Sequence, residues 1–550
     1  MQFISTKADQ TLKSNSPFKL NILLILLFSM FTMFMLASGY FSIGFLSDDY
    51  LNIISANTST LSEKFTGDVP YYSKHHLRPI WFLSIQTTHA ITNALGFAND
   101  NFLLYRIENL LLIFAFAFVA SHLIYRITGK VAASIILAVL ILSFPNNLNS
   151  ICWTIGKVDL MAGIFILGTI YYSAKFSQGT SKVWLLISVA MLALGLLTKE
   201  TAVITPFVCY LILKYSSTGE EGNRKQLLLN QSVIVVLYLL FRIFLASGNF
   251  TEAITTYSDS TLTGRLIVAL QAFISLLFPF DYLSLQNHFL HFDLLLILYI
   301  VIIILLSVSL VHAIWKKKLS GLLLSSILIF FISIIPNLAA GYFRPQLILL
   351  PFSLTVISLI VFISKSEVKF RITGGILAVV IIYWLLIDYQ LIRNWNYASM
   401  KSEEAISELL NFPEEKFENA FILGLPGRIN QAHMTEYATG PYNYFRFGTG
   451  PVRIDAKDVI HVSALDTGSL SSELTVERTG ENEYYVYATG ATQYFQITGQ
   501  RGNSVGTNRF QIILDSLNSF GKPMRMRILN ADKSNEIYLY KSQKIIKISE

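Results

Sequence analysis

The residues best suited to chemistry are two adjacent carboxylates, Asp48 and Asp49, which follow the first long apolar segment, Leu20 to Ile43. That segment is long enough to cross a bilayer, which takes about 20 apolar residues at about 1.5 Å each. Acidic groups are costly near hydrocarbon, so a carboxylate pair where a membrane helix ends indicates a functional site. The alternative is that the pair caps the next helix or faces water.

The composition indicates a polytopic membrane protein. Of the 550 residues, 53% are hydrophobic and 14% are charged, whereas soluble proteins carry about 25% charged residues. Lys and Arg collect in short loops, as expected beside an anionic cytoplasmic leaflet, so the net charge of +7 implies no nucleic-acid partner. Cys152 and Cys209 lie in or beside apolar segments, which indicates neither a disulfide framework nor a cysteine metal site.

Hydropathy predicts ten further spans after the first. The segment Ile80 to Phe97 carries several polar residues and is predicted to be an amphipathic helix at the membrane interface. The segment Arg265 to Phe280 is apolar but ends beside Pro279 and Asp281, and we expect it to re-enter or to lie flat on the outer side. The predicted spans are 102–125, 131–144, 160–176, 183–197, 202–213, 227–246, 294–315, 319–335, 347–363 and 372–387.

The positive-inside tendency then gives the sidedness of about eleven crossings. The N-terminus is predicted to be cytoplasmic, and the acidic pair faces out. If residues 265–280 crossed, Lys316 to Lys318 would lie outside, against the tendency. The preferred arrangement is a multi-pass plasma (inner) membrane protein with an extracytoplasmic C-terminus.

From about Asn394 the pattern changes to short runs of alternating β-forming residues, punctuated by Gly and Asn. This pattern is typical of a soluble β-rich or α+β domain. We therefore predict two domains. Residues 1–393 form a membrane domain with an acidic first outer loop at 44–101, and residues 394–550 form an extracytoplasmic domain.

The predicted sidedness gathers charged residues at the outer ends of the spans. Cations there run against the positive-inside tendency, which suggests a membrane-level cavity that holds an anion beside carboxylates. A purely structural alternative exists for each: Lys157 can pair with Asp159, Lys199 can pair with Glu200, and Arg242 can reach the surface. The candidate binding residues are Arg78, Lys157, Asp159, Lys199, Glu200, Arg242 and Arg344.

Several short motifs, in order, resemble those of the glycosyltransferase C superfamily (GT-C), which uses polyprenyl-phosphate sugars. The family includes protein O-mannosyltransferases and the aminoarabinose transferases of lipid A. The matching elements are Asp48-Asp49-Tyr50, Arg78-Pro79-Ile80, Trp153 to Asp159, Leu197 to Ala202 and Gly341 to Pro345. Pro345 and Gln346 replace an aromatic residue and a leucine in the last, and the resemblance covers roughly residues 20–390.

The resemblance implies a GT-C-like fold and an enzyme that moves a sugar from a polyprenyl-phosphate donor to an acceptor hydroxyl on a protein, lipid or glycan. It implies that Asp48 is the general base and that the anomeric centre inverts. Asp49 would orient the acceptor, or help to hold a divalent cation if the reaction uses one. Lys199, Arg242 and Arg344, with Lys157 as a weaker candidate, would stabilise the departing phosphate.

Two other functions stay open at this point. A transporter or flippase of lipid-linked or anionic substrates would need polar groups through the bilayer, yet the middles of the predicted spans carry almost no charge. A non-catalytic relative would bind sugars or cell-wall material through residues 394–550.

Overall fold

The structure is a computed structural model of the chain. It describes residues 16–548 except for 71–76, 99–100, 180, 217–218, 246–260, 280–284, 286–295, 305–306, 309–319, 342, 366–369, 414–415, 417–419, 430–431, 436–458, 481–482, 491–492, 498–503, 507–509, 515–523 and 531–535.

Helices make up most of the described chain up to residue 411. They are α1 Ser16–Ala37, α2 Asp49–Thr58, α3 Leu61–Thr66, α4 Pro79–Ala94, α5 Leu103–Thr128, α6 Val131–Ser143, α7 Leu148–Cys152, α8 Lys157–Ser177, α9 Lys182–Thr198, α10 Thr205–Tyr215, α11 Glu221–Leu245, α12 Leu262–Leu277, α13 Ser320–Ala340, α14 Leu349–Lys365 and α15 Phe370–Asn411.

Six of the described helices are long and apolar enough to cross a membrane, and a seventh span results if one bent pair counts as a single crossing. The helices α9, α12 and part of α13 are apolar but shorter. The predicted membrane architecture is thus confirmed in outline. The count of about eleven stays a prediction, since residues 309–319, with Lys316 to Lys318, and much of 280–295 lie outside the described residues.

The bent pair is α6 with the segment Pro145–Cys152, and the bend is 62°. Pro145 explains the break, because proline disfavours helical conformation in the residue before it, and Phe144 is extended at φ −79°, ψ 113°. The chain then turns through Trp153 into α8. The bend therefore carries the Trp153 motif to the end of the membrane helices where the acidic pair lies.

The last helix, α15, is continuous over 42 residues. At about 1.5 Å per residue it is about 63 Å long, roughly twice the hydrocarbon thickness of a bilayer. One element therefore serves both as a span and as the support of the C-terminal region. The predicted domain boundary at 393/394 lies inside it.

The C-terminal region contains eleven described strands in two sheets. The first sheet has the order β11-β10-β1-β3-β6, with β1 parallel to β10 and to β3 and with β2 paired to β1; the second has the order β4-β5-β9-β8-β7 and is antiparallel. The strands are β1 Ala420–Ile429, β2 Ala432–His433, β3 Val459–Ala464, β4 Leu474–Gly480, β5 Glu483–Ala488, β6 Tyr494–Ile497, β7 Ser504–Gly506, β8 Phe510–Leu514, β9 Met524–Asn530, β10 Glu536–Lys541 and β11 Lys544–Lys547.

Strand β1 is buried on both faces because the second sheet covers one face and the end of α15 covers the other. Phe421 and Leu423 pack against the second sheet, whereas Ala420 and Ile422 pack against Leu409 near the end of α15. Side chains alternate along a strand, so this single strand joins the end of the long helix to the second sheet.

Candidate active site

The acidic pair lies at the start of α2, directly after a strained residue. Asp48 occupies the N-cap position, but its side chain makes no capping hydrogen bond. Ser47 has φ +50°, a left-handed conformation that is uncommon for a non-glycine residue. The Ser47 N–H donates to the carbonyl of Met434 over 2.8 Å. The C-terminal region therefore contacts the acidic turn directly.

The two carboxylates differ in environment. Asp49 is fully buried, and its two oxygens accept hydrogen bonds from the backbone N–H groups of Leu46 at 3.0 Å and Ile155 at 3.2 Å. Burial raises the pKa of Asp49 to about 6, although Arg106 and these donors oppose the rise. Asp48 keeps partial exposure. Asp49 thus ties the turn to the Trp153 motif, and Asp48 is the more accessible carboxylate of the pair.

Arg106 of α5 connects several backbone segments at this end of the molecule by hydrogen bonds. It is fully buried and donates to the carbonyls of Ile43 at 2.9 Å, Gly44 at 2.6 Å and Cys152. The Tyr40 hydroxyl in turn donates to the Arg106 carbonyl at 2.8 Å. One guanidinium therefore links the segment before the acidic pair to the end of α7, using donors in a planar fork.

Lys157 pairs with Glu108 of α5 over 2.7 Å rather than with Asp159. Residues two apart on a helix do not face each other, which explains why the neighbouring pair does not form. Glu108 also accepts from Ser84 at 2.5 Å and Thr88 at 2.6 Å, both on α4. The predicted interfacial helix is therefore attached to the membrane helices by its own polar face.

Lys199 pairs with Asp159 of α8, again in preference to the adjacent acid. The Lys199 backbone is extended, at φ −158° and ψ 139°, so its side chain and that of Glu200 point in opposite directions. Glu200 receives Arg78 instead, through Nη2 at 2.7 Å and Nε at 3.2 Å. The ion pairs Lys199–Asp159 and Arg78–Glu200 therefore connect segments that lie far apart in sequence.

A third cation lies near the Glu200 carboxylate. Burial would raise the pKa of Glu200, but Arg78 and Arg242 outweigh burial and hold that pKa well below its usual range. Arg242, in the last turn of α11, also contacts the Tyr238 hydroxyl at 3.4 Å. Around Glu200 and Asp159 the three cations Arg78, Lys199 and Arg242 therefore exceed the two carboxylates.

Arg344 lies over the ring of Trp153, with the guanidinium carbon 5.6 Å from the ring centroid. The ring face attracts the guanidinium through a cation–π interaction. Trp153 directly precedes the segment whose Ile155 N–H binds Asp49. Arg344 and the acidic turn therefore contact the same short motif, although almost 300 residues separate them in sequence.

A small cavity lies beside the Lys199–Asp159 pair. Its volume is about 10 Å³, room for about one water molecule. Polar groups from α8, from the turn after Lys199 and from α13 meet there. Its lining includes Asp159, Gly163, Thr201, Ser333, Asn337 and Leu347.

The structure thus brings all nine predicted site residues to one end of the helices, linked by contacts that sequence neighbours do not make. Sequence reasoning missed the roles of Glu108, Trp153, Ser84 and Thr88. The spacing of Ser84 and Thr88, four residues apart on a helix, was the available signal for a shared polar face. In the part of the chain that the structure describes, no group of three or more His, Cys, Asp or Glu side chains could hold a metal ion.

Comparison with known families bears on this same region. Residues 101–248 match the family model of dolichyl-phosphate-mannose-protein mannosyltransferases. No curated protein matches the chain. The matched segment runs from α5 to α11 and contains Lys157, Asp159, Lys199, Glu200 and Arg242. The resemblance to GT-C enzymes is confirmed for this segment.

The mannosyltransferase family model implies a membrane glycosyltransferase that takes its sugar from a dolichyl-phosphate donor. Together with the apolar helices, it supports a multi-pass membrane protein. The acidic turn, Arg78 and Arg344 lie outside the matched segment, and their roles rest on the contacts described above.

Proposed function

We propose that this protein transfers a sugar from a polyprenyl-phosphate donor to an acceptor hydroxyl at the outer face of a plasma membrane, with inversion of the anomeric centre. The observation that supports the proposal is the attachment of Asp49 to the Trp153 motif, the same motif that carries Lys157 and that Arg344 contacts. A carboxylate next to surplus positive charge suits a reaction in which a hydroxyl loses a proton while a phosphate leaves.

In the proposed step, the acceptor oxygen gives its proton to the Asp48 carboxylate and forms a bond to the anomeric carbon. The bond from that carbon to the phosphate oxygen breaks, and polyprenyl phosphate departs with the electron pair. A positioned base contributes typically about 10²–10⁴-fold to such a reaction. Asp49 acts as a positioning residue, because its oxygens already accept two backbone hydrogen bonds.

The donor phosphate is proposed to bind near Lys199, Arg242 and Arg344. Asp159, which pairs with Lys199, lines the small cavity, and Arg344 lies over Trp153, whose motif holds Asp49. Fixed cations in a region of low dielectric stabilise the charge that develops on a leaving phosphate. Lys157 is fully buried against Glu108 and is assigned a supporting role.

The test is a transfer assay with purified protein, radiolabelled polyprenyl-phosphate sugars and membrane extracts as the source of acceptor. Asp48→Asn is expected to lower transfer by about 10²–10⁴-fold. Glu63→Gln is the matched control: Glu63 lies in the same outer loop and closes a capping box with Thr60, which glutamine also satisfies.

Transfer by the wild type that is lost in Asp48→Asn and kept in Glu63→Gln supports the proposal, and the labelled product identifies the acceptor. Transfer that survives in Asp48→Asn would refute the role of Asp48 as base. Movement of labelled donor across vesicles without bond cleavage would favour the transporter alternative.

A further inference from the structure

We propose that a groove between α15 and the first sheet of the C-terminal region binds a neutral saccharide. The groove has a volume of about 390 Å³, within the range of about 300–1,000 Å³ that is common for small-molecule sites. Tyr397, Lys401 and Glu404 line it from α15, and Gly424 and Pro426 line it from β1.

The groove and the acidic turn lie on opposite faces of α15. Tyr397, Lys401 and Glu404 follow each other at helical spacing and form one stripe. Ser399 packs against Gly44, three residues before the strained Ser47, and Ile406 packs in the cluster under the acidic turn. The groove is therefore separate from the proposed transfer site, and the inference does not depend on the transfer reaction.

The charges of the groove are balanced in pairs. Lys401 binds Glu404 at 2.6 Å, and Lys541 binds Glu473 at 2.7 Å. Two cations and two carboxylates leave no net charge to attract an ion. An uncharged ligand suits such a lining better than a phosphate or a carboxylate does.

The lining also offers both kinds of hydrogen-bonding partner. Ser472, Ser542 and Gln543 line the groove beside the ion pairs, and hydroxyl and amide groups both donate and accept. Each hydroxyl of a sugar is likewise a donor and an acceptor. Tyr397 and Tyr540 supply aromatic rings, which present an apolar face and a polar tip. This combination fits a ring that has a C–H face and hydroxyls at its edge.

One group in the groove points to a ligand independently. The Tyr540 hydroxyl is buried and has no hydrogen-bond partner among the described residues. Burial, together with Glu404 and Glu408, raises the pKa of Tyr540 to about 12, so the hydroxyl stays protonated at neutral pH. Leaving a buried hydroxyl unsatisfied is unfavourable, and a ligand hydroxyl would satisfy it.

The experiment is saturation-transfer NMR on the full-length protein in phospholipid nanodiscs, which avoids maltoside detergents because these are themselves saccharides. The probes are three neutral trisaccharides (mannotriose, tri-N-acetylchitotriose and maltotriose) and an uncharged Ser/Thr-rich hexapeptide. We expect at least one trisaccharide to bind, and Tyr540→Phe to weaken that binding by about 2- to 10-fold. Tyr485→Phe, which alters a tyrosine of β5 outside the groove, is expected to leave it unchanged.

The transfer variant Asp48→Asn is expected to keep this binding, so the groove and the proposed reaction can fail separately. Absence of binding by all three trisaccharides would overturn the proposal. Saccharide binding that is the same in Tyr540→Phe and in Tyr397→Leu would overturn it as well, since the ligand would then lie elsewhere. Binding of the hexapeptide alone would make the groove a peptide site.

Discussion

The Asp49 carboxylate accepts a hydrogen bond at 3.2 Å from the backbone N–H of Ile155, 106 residues further along the chain. This contact joins the first outer loop to the bend between α7 and α8. It also distinguishes the two carboxylates of the acidic pair. Asp49 accepts backbone hydrogen bonds on both oxygens and is therefore suited to positioning the turn. The contact gives the first of four predictions.

The stability of the protein should depend on pH through Asp49. Burial raises its pKa from 3.8 to about 6, so the folded state binds a proton that the unfolded state releases between about pH 4 and pH 6. Stability should therefore fall as the pH rises through that window, by up to about 3 kcal/mol, and stay level above it. Chemical unfolding of the wild type and Asp49→Asn across this window measures the difference. If the free energy of unfolding changes equally with pH in the two proteins, the prediction is wrong.

The Lys199–Asp159 pair should behave as a buried ion pair. The two side chains are only 7% and 14% exposed. Asp159→Asn should therefore destabilise the protein by about 3–5 kcal/mol, because it leaves a buried cation uncompensated. The double variant Lys199→Met/Asp159→Leu should recover much of that loss in unfolding measurements.

The exposed pair Lys225–Glu221, at the start of α11, is the control for this pair, and breaking it should change stability little. If the double variant is as unstable as Asp159→Asn alone, then lost packing, rather than an unpaired buried charge, causes the loss of stability.

Arg106 should contribute strongly to the stability of the folded protein. Arg106→Met would remove the donor from the carbonyls of Ile43, Gly44 and Cys152, and we expect a loss of about 3 kcal/mol or more. Arg126→Met, on the exposed side of the same helix, is the matched control and should have little effect. Comparable melting temperatures for the two variants would refute this assignment.

Backbone strain at Ser47 should appear in a substitution series. The φ of +50° disfavours every side chain relative to glycine and β-branched side chains most. Ser47→Gly should be tolerated or stabilising, and Ser47→Val should be destabilising by about 1–3 kcal/mol. Thermal unfolding measures both. A Ser47→Val protein as stable as Ser47→Gly would mean that the turn relaxes without the left-handed residue.

The sequence by itself determined much of this protein. Apolar length and charge distribution depend on local composition, so they revealed the membrane helices. The alternating runs at 474–478, 484–487, 494–497, 510–514 and 537–540 correspond to β4, β5, β6, β8 and β10. The motif order around Asp48, Trp153 and Lys199 revealed the family resemblance, which the match over residues 101–248 confirms.

Only the tertiary structure decided which charges meet. Lys157 has an acid two residues away and Lys199 has one directly after it. Each nevertheless binds a carboxylate from another helix, because local backbone geometry turns these close side chains apart. The strand β1 also escaped sequence analysis, since burial on both faces removes the alternation that identifies a strand. The contact of Met434 with Ser47 joins residues that lie far apart in the chain, so no local sequence pattern predicts it. The same is true of the groove beside α15.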